Sequence, residues 1–133
     1  MVFLDASALL ALLLDEPVVA DIETHLADAL LLSVNLIEVV AALTRRGLRR
    51  EHINDALTPL ALPVVPFTEE MAWLAGVRRA QMPSALGLAD CCCLAAAASQ
   101  SAAAVTTDAF WQQAGRIFAV EVVYVSRDDS HRR

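Results

Sequence analysis

The chain has 133 residues, a length that fits one domain built around one hydrophobic core. Apolar residues make up 57% of it, and the formal net charge is −6, with sixteen acids against ten basic residues that are all Arg. That balance excludes a protein that holds nucleic acid by bulk attraction. The apolar surplus points to covered surface, as in a homodimer or a tightly held partner.

In chain order, "VFLD" at 2–5 reads as a short buried strand ending on an acid, and "ASALLALLLDE" as a helix running to Pro17. This opening lacks the basic n-region of a signal peptide and puts Asp5 inside the would-be apolar stretch, so no signal peptide is expected. "VADIETHLAD" gives a second, amphipathic helix, and "LLLSV" at 30–34 a strand. "NLIEVVAALTRRG" follows as a helix with Asn35 as N-cap and Gly47 as its C-terminal stop. "EHINDALTPLA" is a helix interrupted near Pro59, and "LPVVPF", bounded by Pro63 and Pro66, suits an edge strand.

"TEEMAWLAGVRRAQ" opens a helix at Thr68, with Glu69 and Glu70 suited to its first turn. "GLADCCCLAAAASQ", entered through a Pro83-Ser84 turn, is another helix. Its consecutive Cys91, Cys92 and Cys93 cannot staple distant segments and lack the spaced pairs of a zinc site. They read as small hydrophobes in a reducing cytoplasm. The longest uncharged stretch, 91–107, is broken by Ser99, Gln100 and Ser101, so no membrane span is expected. "AAVTT" is a strand, "DAFWQQAG" a short helix and "VEVVYV" a final strand, leaving 126–133 as a frayed polar tail. Strands alternating with helices indicate an α/β domain on a parallel sheet spanning 1–133.

The acids fall in a pattern. In open parallel sheets ligands gather outside the carboxyl ends of the strands. Asp5 closes the first strand, Asp108 the fourth, and Glu38 stands one turn into the helix leaving the second. Asp90 is the one carboxylate in an apolar run, with no Lys, Arg or His between Arg79 and Arg116 to pair with it. Burying an unpaired carboxylate is costly. If its helix packs antiparallel to the following strand, all four acids meet on one rim. Taken singly, Asp5 and Asp108 also fit as helix N-caps, and Glu38 as a solvent-facing residue.

At these residues the chain resembles the PIN-domain ribonucleases, in particular the VapC-type toxins of toxin–antitoxin pairs. The segments "VFLDASALLALLLDEP", "SVNLIEVVAAL", "LGLADCCCLAAA" and "AVTTDAFW" occur in the family's order. The resemblance implies a three-layer α/β/α fold with a five-stranded parallel sheet ordered 3-2-1-4-5. It also implies a cytoplasmic Mg²⁺- or Mn²⁺-dependent endoribonuclease restrained by a cognate antitoxin, with one or two ions at an acidic quartet falling on Asp5, Glu38, Asp90 and Asp108. The family's small hydroxyl positions fall on Ser7 and Thr106, which would support the carboxylates or else bond locally.

Oxygen-only donors suit a hard cation, which orients a water and lowers its pKa for attack on phosphorus. Asp5 and Asp90 are read as direct ligands, Glu38 and Asp108 as direct or water-mediated ones. Arg45, Arg46, Arg49 and Arg50 in "TRRGLRRE" could hold RNA phosphates, meet an acidic partner, or simply compensate a helix dipole. For Trp73 and Trp111, core or dimer packing is the ordinary reading and base stacking the functional one. Two other functions are consistent with an acidic sheet edge. One is a Mg²⁺-binding phosphoacceptor or phosphatase, against which stand the sequence "DAS" after the strand and the absence of Lys. The other is a non-catalytic module whose acids bind a basic partner.

Overall fold

The computed structural model describes residues 1–16, 19–82 and 86–126, and the side chains of all these except 19 and 20. Strand β1 (Val2–Leu4) leads into helix α1 (Ala6–Leu13), followed by α2 (Val19–Glu23) and a 3-10 turn (Leu26–Asp28). Strand β2 (Ala29–Leu32) passes directly into α3 (Ser33–Arg45), then α4 (Arg50–Leu57), a second 3-10 turn (Thr58–Leu60) and β3 (Val64–Val65). Helices α5 (Glu69–Arg79) and α6 (Leu88–Ser99), strand β4 (Ala103–Thr106), helix α7 (Trp111–Phe118) and strand β5 (Val122–Tyr124) complete the order. All strand pairs are parallel, in the order β3-β2-β1-β4-β5. The sheet order implied by the resemblance is the one observed.

Alternate residues of each strand face opposite sides of the sheet. Val2, Leu4, Ala29 and Val105 pack with Ala8 and Ala11 of α1 and Ile22 of α2. Phe3, Leu32 and Ala104 face the other way, onto α5, α6 and α7. Helices therefore cover both faces, which gives the three layers. Helix α6 lies between α5 and α7, and every residue from Cys91 to Ala97 is buried. A helix apolar all round is a buried helix, so the cysteines are packing residues. They are free thiols, and burial pushes the Cys93 thiol well above its usual range.

Several local expectations change. Asn35 does not cap α3: the helix starts two residues earlier, at Ser33, and Asn35 is buried in its first turn. The Ser33 hydroxyl is not a cap either, because it accepts from the Phe67 backbone N–H at 3.1 Å and ties α3 to the chain after β3. Gly47 does end the segment, at φ +93°. The amphipathic stretch 19–28 breaks at Thr24, whose hydroxyl bonds back to the Asp21 carbonyl at 2.7 Å. Helix α7 begins at Trp111 rather than Asp108, because Asp108 and Phe110 form a turn first. The expected Pro83-Ser84 turn and all but the first residue of the polar tail lie outside the described residues.

Candidate active site

Asp5 is the first residue beyond β1 and is only 3% exposed. Its Oδ1 accepts from the Ala8 backbone N–H at 2.8 Å, so it caps α1, and from the Ser7 hydroxyl at 2.7 Å. Its Oδ2 accepts from the Thr106 hydroxyl at 2.6 Å. The capping and site readings are therefore compatible: one oxygen caps while the other faces β4. Burial raises the Asp5 pKa, these hydrogen bonds oppose the rise, and the Glu38 charge adds to it.

Both hydroxyls do double duty. Thr106 Oγ1 accepts from the Asp108 N–H at 3.0 Å, and Ser7 Oγ accepts from the Thr107 N–H at 3.1 Å. They fasten the turn after β4 onto the turn after β1. Asp108 Oδ1 in turn accepts from the Phe110 N–H at 2.9 Å, which orders the entry to α7.

Glu38 projects from the second turn of α3, where Asn35 Nδ2 donates to its Oε1 at 3.0 Å. Asn35 is fully buried, and its Oδ1 has no hydrogen-bond partner among the described residues. Sequence reading missed this positioning contact; the signal was the i, i+3 spacing of Asn35 and Glu38, which places two side chains on one helix face.

Asp90 stands in the first turn of α6, beyond the Gly87 N-cap. Its pKa is raised to about 6 by burial first, then by the charges of Asp5, Glu38 and Asp108, against a hydrogen bond from the Gly87 backbone. Among the described residues no Arg or His forms an ion pair with any of these four acids.

Asp5, Ser7, Glu38, Asp90 and Arg45 line one cleft of about 520 Å³. Asp108 is not in its wall, although its charge reaches Asp90. The arginine cluster divides. Arg45 faces the acidic cleft, whereas Arg49 and Arg50 line a separate groove of about 570 Å³ between α3 and α4, floored by Leu36, Val40 and Ile53. Arg46 is exposed. Trp111 is buried in the core, while Trp73 is 70% exposed and donates to Glu69 at 3.2 Å, so core packing holds only for Trp111.

Among the described residues no three His, Cys, Asp or Glu side chains close into a ready-made metal cage. The donors nevertheless suit a hard cation: they are all oxygen, drawn from separate segments, and they repel one another. Mg²⁺ in particular keeps several waters and takes only one or two carboxylates; Asp5 and Asp90 both line the cleft, and the Asp5 charge raises the Asp90 pKa.

The fold has clear neighbours. It is similar to a chain of VapBC2 from Rickettsia felis, solved bound to a promoter DNA fragment, with TM-score 0.74, 15% identity, and 93% of this chain and 98% of that chain covered. It is similar to a FitAB chain bound to the IR36 DNA fragment (TM-score 0.72, 20% identity, 93% and 94% covered). A chain of FitAcB from Neisseria gonorrhoeae gives TM-score 0.68 at 21% identity, with 92% and 96% covered. No curated protein matches the chain in sequence. Residues 2–117 match the model of the PIN domain, which takes in every acid described above, and the chain belongs to the PIN domain family.

Proposed function

We propose that the chain is a divalent-metal-dependent endoribonuclease, hydrolysing RNA phosphodiester bonds as the cytoplasmic toxin of a toxin–antitoxin pair. The observation that carries this reading is the cleft itself: Asp5, Glu38 and Asp90 come from three distant segments, line one wall, and among the described residues form no ion pair with a basic side chain. A cluster of mutually repelling carboxylates on a surface cleft is costly unless function keeps it.

Mg²⁺ or Mn²⁺, as one or two ions, would supply charge neutralisation and an acidified water for attack on phosphorus. Asp5 and Asp90 would hold it directly, with Glu38 and Asp108 directly or through water. Ser7 and Thr106 fix the Asp5 carboxylate, so that its orientation is set before substrate arrives. Arg45, the one basic residue in the cleft wall among the described residues, suits a neighbouring backbone phosphate. Arg49 and Arg50 above an apolar groove suit an acidic, amphipathic segment of the antitoxin. A homodimer would account for the apolar surplus.

The test is cleavage. Purified protein should cut RNA with Mg²⁺ or Mn²⁺ and stop when EDTA is added. Asp5→Asn and Asp90→Asn should each cost a factor of at least ~100 in rate, about 2.7 kcal/mol of transition-state stabilisation, while keeping the parent's circular dichroism. Variants that cut as well as the parent would refute the assignment.

A further inference from the structure

The fold fixes the acids in different ways. Asp5 is held by the Ser7 and Thr106 hydroxyls and the Ala8 N–H, Glu38 by the Asn35 amide, and Asp108 by its own turn. Among the described residues no side chain hydrogen-bonds Asp90, whose carboxylate meets the Gly87 backbone instead. Asp90 therefore goes where the first turn of α6 goes. That turn has Gly87 at its N-cap and no side-chain cap, whereas α1 and α5 open on the side chains of Asp5 and Thr68. A helix start without a cap leaves backbone N–H groups unsatisfied and frays. The fastening comes from α5. Arg79, in the last turn of that helix, donates from a single nitrogen, Nη1, to the Leu86 carbonyl and to Cys91 Sγ, each at 3.2 Å. Leu86 precedes the N-cap and Cys91 follows Asp90, so the guanidinium spans the stretch that carries the acid. The Cys91 thiol donates to Met82 Sδ at 4.0 Å, and the Met82 N–H bonds the Arg79 carbonyl at 3.1 Å, which closes a ring of contacts.

We propose that Arg79 is the positioning residue for Asp90: by clasping both ends of the 86–91 segment it sets where the carboxylate stands in the cleft, and so how well the cleft takes a divalent cation. This rests on the metal-dependent reading and adds to it a residue that acts only through another. An Arg in the last turn of a helix ordinarily compensates the helix dipole. That role does not account for the geometry here, because Nη1 bonds α6 and its entry. Nor does Arg79 act on Asp90 by charge. The charges that reach Asp90 most strongly are those of Asp5, Glu38 and Asp108, all of them negative. What Arg79 transmits is the placement of the backbone. A guanidinium suits the task, since its fork is planar and pre-organised and one of its nitrogens can serve two acceptors at once. Partners one step removed from a metal typically change its affinity by about ten- to a hundredfold when they are lost.

The experiment uses the full chain and reads Mn²⁺ binding by calorimetry, well below the melting temperature, beside amide hydrogen exchange of the metal-free protein. Arg79→Met keeps most of the stem and removes both bonds. It should weaken Mn²⁺ binding about tenfold. It should also speed exchange of the Cys91 N–H, which bonds the Gly87 carbonyl at 3.2 Å, and leave the Leu9 N–H of α1 as in the parent. Arg78→Met removes the same charge from the same turn and should leave both readouts at the parent's values. Arg79→Lys should recover most of the affinity, because one nitrogen can still serve both acceptors. Cys91→Ala removes one acceptor and should cost less than Arg79→Met; combined with it, the further loss should be close to zero. Parent-like affinity or parent-like Cys91 exchange in Arg79→Met would overturn the proposal. So would an equal loss in Arg78→Met, which would make the effect one of charge. If Arg79→Met does not fold, Cys91→Ala decides on the same two readouts: weaker binding with faster exchange supports the clasp, and no change in either ends it. If the parent takes up no Mn²⁺, the metal reading fails separately. Exchange at Cys91 in Arg79→Met then decides the clasp, upheld by a faster rate and ended by an unchanged one.

Discussion

Thr106 and Asp5 stand 101 positions apart in the chain and are joined by a hydrogen bond of 2.6 Å. The same hydroxyl accepts from the Asp108 N–H at 3.0 Å, so one oxygen organises two acids. Strands β1 and β4 are neighbours in the sheet, and this contact ties their carboxyl ends together beside the acidic cleft.

Thr106→Val keeps the shape of the side chain and removes both bonds. It leaves a buried carboxylate oxygen and a backbone N–H without partners, which costs about 1–3 kcal/mol each in typical cases. Urea denaturation should show a loss of stability within that range or above it, and the cleavage rate should fall with it. Thr106→Ser, which retains the hydroxyl, should recover most of both. A valine variant as stable as the parent would mean that the contact contributes nothing.

Asp90 gives the opposite trade. Its carboxyl is held near 6 by burial and by neighbouring acids, and the Asp5 carboxyl is raised as well. Between the ordinary carboxylate value of 3.8 and about 6 the folded protein holds more protons than the unfolded chain. Stability of the metal-free protein contributed by these groups must then fall as pH rises through that window. Asp90→Asn removes the repulsion: without metal it should be more stable than the parent at pH 7, and less sensitive to pH between 4 and 7. Mn²⁺ should stabilise the parent more at pH 7 than at pH 5, and the variant hardly at all. Thermal melts at the two pH values, with and without Mn²⁺, read all of this.

The sheet order was legible through the family resemblance alone, whereas Asp5, Glu38 and Asp108 were legible because each stands at a strand end or in the helix that leaves one, where periodicity changes. Asp90 was legible for another reason, being the one charge in an apolar helix. What the sequence hid depended on contacts across the fold. Asn35 reads as an N-cap beside an apolar strand, yet the helix starts at Ser33, whose hydroxyl accepts from the Phe67 N–H across the fold. The arginines at 45–50 look like one cluster, and the turn at Gly47 sends them to two surfaces.

Asn35 is the residue that this turn of α3 redefines. Its amide spends one end on Glu38 and leaves the other, Oδ1, buried without a partner among the described residues. Asn35→Leu, similar in volume, loses one hydrogen bond and relieves one orphaned oxygen, so folding stability should change by less than about 1 kcal/mol. Glu38 would then be free to swing, and cleavage should fall by roughly tenfold, about 1.4 kcal/mol, with a raised Mn²⁺ requirement. Asn35→Gln, longer by a methylene, should fail to restore either. Equal activity of the leucine variant would show that Glu38 needs no positioning.

A pair of glycines separates packing from helix propensity. An added methyl should favour any exposed helix interior by about 0.5–1 kcal/mol. At Gly76 of α5 a Cβ would meet nothing within 4 Å, so Gly76→Ala should stabilise by that amount. At Gly115 of α7 the same Cβ would sit 2.5 Å from Val122 Cγ2 and 2.9 Å from the Val120 carbonyl oxygen. The valine could turn, but the carbonyl is backbone: the Val120 N–H is itself bonded to the Gly115 carbonyl at 2.8 Å, in the tight link from α7 to β5. Overpacking of this kind costs about 1–3 kcal/mol, which outweighs the propensity gain, and Gly115→Ala should destabilise. The strain would also reach the site, because β5 pairs with β4 and the Val125 N–H bonds the Thr106 carbonyl at 2.8 Å. Melting curves for the two variants should therefore shift in opposite directions, with only Gly115→Ala also weakening Mn²⁺ stabilisation; shifts of the same sign would mean that α7 can move away from β5.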